Sequence, residues 1–246
     1  MTLQDTSAGR GIDGIGVRVF ALVAALLVTI AAWNVALNTV LARTGLATAV
    51  ETTYAATLPL STVEAAVVVA AASVAVIVVL AALVRAFAPD TDALGGSETA
   101  TATVLAYARA VVVAVVGTLA AAVGLAAIVV PGLLVIVHLP LVFVAVAADG
   151  ESIRRAVDRA WTRARGNRAR VVALLLAVGA VPLAVAVIAT LTTLLSPPVE
   201  LAVGVVVTTG AAAAGAAAFT AITASLDGDS GQSRTDRVAP ATSRQL

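Results

Sequence analysis

The stretch PGLLVIVHLPLVFVAVAADGESIRRAVDRAWTRARGNRAR, residues 131–170, joins two kinds of helix, and its reading decides the fold. From Pro131 to Ala148 the only ionisable side chain is His138, and the apolar run stops at Asp149-Gly150-Glu151. Those eighteen residues are just enough to cross a hydrocarbon core of about 30 Å at about 1.5 Å per helical residue. Beyond the acidic turn, Ile153, Ala156, Val157, Ala160, Trp161 and Ala164 recur at helical spacing on one stripe. Arg154, Arg155, Asp158, Arg159, Thr162, Arg163 and Arg165 fill the other side. Asp149 or Ser152 can cap the start, and Gly166-Asn167 can end it. A short helix over 152–165 with a weakly apolar face, one Trp and an arginine face is expected to lie along a membrane surface.

Residues 149–170 hold seven Arg against Asp149, Glu151 and Asp158, a formal net of +4. Two readings of these arginines stand side by side. They set topology and anchor the loop, or Arg154, Arg155, Arg159 and Arg163, with Trp161, form a site for anionic lipid headgroups or a protein partner. Near anionic headgroups each basic residue is worth roughly 1 kcal/mol, screened by salt. Nucleic acid is not an expected partner, because Trp161 is the only aromatic available to stack on a base.

The pattern Pro131-Gly132, His138, an acidic turn, Ala156, Arg159, Trp161, Arg165-Gly166-Asn167 and a following apolar helix resembles the membrane domain of glycerophosphoryl diester phosphodiesterases. It is also similar to related stand-alone membrane proteins, including those of haloarchaea. The chain has His138 and Ala160 where that family more often carries Arg and Ser. The resemblance implies a helical membrane bundle. Nothing in the chain resembles the catalytic barrel of those enzymes, so their activity is not implied.

Composition points the same way. The chain has 246 residues, is 61% hydrophobic and only 12% charged, with a mean hydropathy of +1.06. Soluble domains carry about 25% charged residues. An absence of Cys excludes disulfides and thiolate chemistry, and because all fifteen basic residues are Arg, lysine Schiff-base chemistry is excluded too.

The expected architecture is therefore all-α and polytopic, with six transmembrane helices at about 17–41, 65–87, 111–130, 131–148, 171–195 and 201–225. The surface helix lies between the fourth and fifth. Residues 1–16 and 226–246 read as disordered cytoplasmic ends, and the apolar run after residue 17 is too long for a cleaved signal peptide. Ser196 to Glu200 reads as a short outer turn, and Arg85 as an end-of-helix side chain that snorkels to the interface. One continuous helix over 111–148 would measure roughly 57 Å, longer than the whole bilayer, so a break at Val130-Pro131-Gly132 is expected. Its backbone must sit shallow or be covered by protein. With six spans, fourteen arginines fall on one side and Arg43 alone on the other, which places both termini in the cytoplasm and the chain in the cell membrane as a multi-pass protein.

Within the spans, His138 is either a satisfied structural imidazole or a proton-linked or ligand-binding group. Asn34 and Asn38, four apart, are candidates for hydrogen bonds to a neighbouring helix. There is no Walker loop, no His/Glu metal pair and no intramembrane carboxylate pair, so no catalytic, cofactor or metal residue is expected, and the chain does not read as an enzyme. The expected role is membrane organisation, assembly or regulation, with anionic lipid and a membrane-protein partner or a second copy as partners. The alternative is a small-solute transporter or permease subunit with His138 in the pathway.

Overall fold

Apolar helices in this chain pair through small side chains. In the computed structural model, which describes residues 5–45, 56–88, 100–127, 129–166 and 196–238 and a few between 180 and 190, all the regular structure described is helical. The elements are α1 (Asp5–Thr44), α2 (Thr62–Phe87), α3 (Ala100–Ala127), α4 (Val129–Asp149), α5 (Ile153–Gly166) and α6 (Pro197–Val238). Four stretches are long and apolar enough to cross a membrane: Gly16–Thr44, Thr62–Phe87, Ala100–Ala127 and Pro198–Ser225.

Helices α1 and α2 form one antiparallel hairpin. The Leu58 N–H donates to Thr39 Oγ1 at 2.8 Å near the connection, and the Trp33 Nε1–H donates to Ser73 Oγ at 3.0 Å further along. Ser73 passes its own proton to the Val69 carbonyl, 2.8 Å away, so the indole bond is part of a satisfied chain. Ser73→Ala is expected to cost about 0.5–1 kcal/mol, the scale of an interhelical hydrogen bond among apolar helices, as read by unfolding in mixed detergent micelles. At the start of α2, Ser61 and Glu64 form a reciprocal capping box that satisfies the first-turn amides.

The second hairpin, α3 and α4, is tighter. Leu125 lies against Gly132, Gly117 against Leu139 and Arg109 against Gly150, stepping outward from the turn as antiparallel neighbours do. Helix α3 ends at Ala127 and α4 begins at Val129, so Val130, Pro131 and Gly132 lie in the first turn of α4 and not in the break expected there, and the fixed φ and missing N–H of Pro131 cost nothing in that turn. Gly132 is the close-approach residue. A Cβ there would stand 2.5 Å from Leu125 N and 2.8 Å from the Gly124 carbonyl carbon. Pro140 lies within α4.

The two hairpins meet where α2 packs on α4, and α6 packs against α1, α2 and α4. Val137, Leu141, Val142, Val144, Ala145, Val146 and Ala147 of α4 are all buried, so its second half is apolar and covered nearly all round. Elsewhere the contact residues are mostly alanines, among them Ala36, Ala65, Ala81, Ala110, Ala156 and Ala160, which let helix axes approach closely. Buried Thr39, Thr209 and Thr220 return their hydroxyl protons to carbonyls four residues back, at 2.7–2.8 Å.

Three more boundaries differ from the sequence reading. Helix α1 begins at Asp5, inside the lead expected to be disordered, and α6 continues to Val238, through most of the expected polar tail. Once an apolar helix exists, each further residue extends it without the cost of nucleation. The expected turn at Ser196 to Glu200 is instead the first turn of α6. Ser196 O accepts from Val199 N at 2.9 Å and Glu200 N at 3.0 Å, with Pro197 at the first helical position. The expected fifth span, 171–195, lies almost wholly outside the described residues.

Candidate functional site

The corner between α4 and α5 is built from the acidic turn. Gly150 adopts φ +64°, a left-handed conformation suited to glycine, and the Glu151 N–H turns back to the Ala145 carbonyl at 3.4 Å. Ser152 then starts α5, its carbonyl accepting from Ala156 N at 3.0 Å. Ala156 and Ala160 are buried, while Arg154, Arg155, Asp158 and Arg159 are exposed.

The arginines do not act alike. Arg159 Nη1 donates to Asp149 Oδ2 at 3.3 Å and its Nη2 contacts Glu151 Oε1, so one guanidinium spans both carboxylates of the turn. The Glu151 side chain is only 10% exposed, so this pair ties α5 to the end of α4 from within. Arg109 of α3 donates to the Gly150 carbonyl at 3.2 Å and fixes the same corner from the other side. Arg154 and Arg155 take no part in these contacts. The Arg163 side chain lies outside the described residues.

Arg85 corrects another expectation. It does not reach out along the interface but is buried, with its guanidinium carbon 5.6 Å from the centre of the Tyr107 ring. A desolvated cation over an aromatic face is an attractive pairing. Asn34 differs too: its Nδ2 donates to Ile30 O of its own helix at 2.9 Å and not to a neighbour, and Asn38 is half-buried on the same helix.

His138 and Trp161 were separate candidates in the sequence, and the fold brings them together. Their ring centres are 5.0 Å apart with planes tilted by 31°. Beside them opens a cavity of about 320 Å³ between α3, α4 and α5, walled by Val112, Val116, Gly117, His138, Leu139 and Trp161. His138 Nε2 is itself buried, so the wall is almost entirely carbon. Among the described residues no three His, Asp or Glu side chains gather as metal ligands.

No family model, curated protein or solved structure matches this chain. No sequence signal announced the His138–Trp161 contact, because it depends on how α5 folds back over α4. The Arg159 pairing was partly legible, since its acidic partners flank the turn that starts its own helix.

Proposed function

We propose that the chain is a six-span membrane protein of the cell membrane with both termini cytoplasmic, and that α5 is an amphipathic surface helix engaging anionic headgroups or a protein partner. Its role is membrane organisation, assembly or regulation and not chemistry. The observation that carries this reading is the placement of charge. In the antiparallel order of the hairpins, Arg18, Arg85, Arg109 and the arginines of α5 share one end of the bundle, and Arg43 lies at the other. Positive residues concentrated at one end are the mark of the cytoplasmic face. The likeness of residues 131–167 to the phosphodiesterase membrane domain fits this assignment and adds no activity.

The test changes three arginines of α5 and spares Arg159, which is paired with Asp149 and Glu151. Arg154, Arg155 and Arg163 are changed together to Gln, and the lipids and proteins that co-purify with the full chain are compared, alongside topology mapping. The expected result is loss of anionic lipid or of a specific partner with topology intact. Unchanged co-purification would reduce these arginines to topology signals. The transport reading draws its support from His138 at the cavity wall, and solute flux in vesicles abolished by His138→Ala would favour it instead.

A further inference from the structure

The stripe Ile153, Val157 and Trp161 lines the cavity but is not covered by it: the three residues are 36%, 47% and 45% exposed. Successive residues of a helix are turned by about 100°, so Ala156 and Ala160 face α4 and this stripe lies next to them. By the same rotation Arg154, which is exposed, comes next to the stripe, with Asp158 beyond it. Arg159 lies on the opposite flank, held by Asp149 and Glu151. Arg155 faces away from the stripe. A carbon-walled groove is thus lined by a stripe whose neighbour on the helix is the exposed Arg154.

We propose that this groove holds one hydrocarbon chain of an anionic phospholipid, with Arg154 binding its phosphate. This rests on the reading of α5 as a surface helix and names the ligand of that surface. About 320 Å³ is at the small end of the roughly 300–1,000 Å³ typical of ligand clefts, and its carbon lining suits part of a single chain better than a polar solute. Charge complementarity selects the headgroup, since the exposed Arg154 beside the lining stripe calls for a negative group. Val112 and Val116 on α3, 49% and 59% exposed, give the chain an apolar path away from the rim.

Trp161 stands in the groove wall and reports its occupancy. The full-length Trp33→Phe protein, in which Trp161 is the only indole, is reconstituted into vesicles containing either phosphatidylglycerol or phosphatidylcholine brominated on its chains. Trp161 fluorescence is expected to be quenched by the anionic lipid at about fivefold lower mole fraction, the factor for one basic residue beside an anionic headgroup. Arg154→Gln is expected to abolish that preference and Arg155→Gln to leave it. Val116→Phe, at an exposed position that tolerates bulk, is expected to reduce quenching by both lipids without altering charge. A preference that survives both Arg154→Gln and Val116→Phe overturns the site. So does equal quenching by the two lipids while anionic lipid is still lost from the triple arginine variant, an outcome that leaves the surface reading standing. Absence of quenching by either lipid means that the chain itself, through 171–195, or a second copy covers the groove, and this also overturns the site. Failure of both the quenching preference and the co-purification test would remove the surface reading as well.

Discussion

Gly132→Ala is expected to destabilise the protein by on the order of 2–3 kcal/mol, the upper part of the range for overpacking a tight contact. The added methyl group would lie 2.5 Å from Leu125 N and 2.8 Å from the Gly124 carbonyl carbon. Both are backbone atoms of α3, so no rotamer change relieves the clash, and the hairpin has to open at its turn. Gly117→Ala is the control. Its methyl group would meet Leu139 Cδ1, the far end of a flexible side chain, and rotation of that leucine keeps the cost to about 1 kcal/mol or less. Unfolding in mixed micelles read by helical circular dichroism separates the two. Equal stability of both variants would show that α3 and α4 do not approach closely at the turn.

Arg159→Gln is the second substitution with a large expected effect. Removing one member of a buried pair costs about 3–5 kcal/mol because the remaining charge is left without compensation. Arg159 is 43% exposed here, and water screens part of the loss, so about 1–2 kcal/mol is expected. The change should appear as faster proteolysis or hydrogen exchange across 149–162, because this pair ties α5 to the corner. Glu151→Gln combined with Arg159→Gln should recover most of the loss by removing the uncompensated carboxylate. Arg155→Gln, with no such partner in the turn, should be within about 0.5 kcal/mol of wild type. A double variant no more stable than Arg159→Gln alone would mean that the ion pair is not what holds the helix.

The parts of the fold legible in sequence were those set by local pattern. That the chain turns back between α3 and α4 followed from helix length, although α4 begins at Val129 and takes in the Val130-Pro131-Gly132 expected to break it; a helix beginning after Ser152 followed from apolar spacing and a turn rich in Asp, Gly and Glu. Partner choice was less accessible. Arg85 ends an apolar helix, and by pattern alone it belongs at the interface, yet Tyr107 on another helix gives it a buried seat. Asn34 offers the same amide whether it bonds across helices or to Ile30 of its own turn. For the candidate site, the arginine face was written in the sequence, but the division of labour within it was not. Which arginine turns inward depends on the position of Asp149 and Glu151 relative to α5, and that is set by the left-handed Gly150.

Ala156 and Ala160 form the seam by which α5 rests on α4, and each offers a single methyl group. In a water-soluble core the costly changes shrink a large side chain. Along this seam the direction reverses, and any enlargement levers α5 outward. Over evolutionary time the outward arginines and the exposed valines of α3 are therefore free to drift among residues of similar character, whereas the seam is confined to glycine, alanine and serine. The least conspicuous side chains of the corner would be the slowest to change.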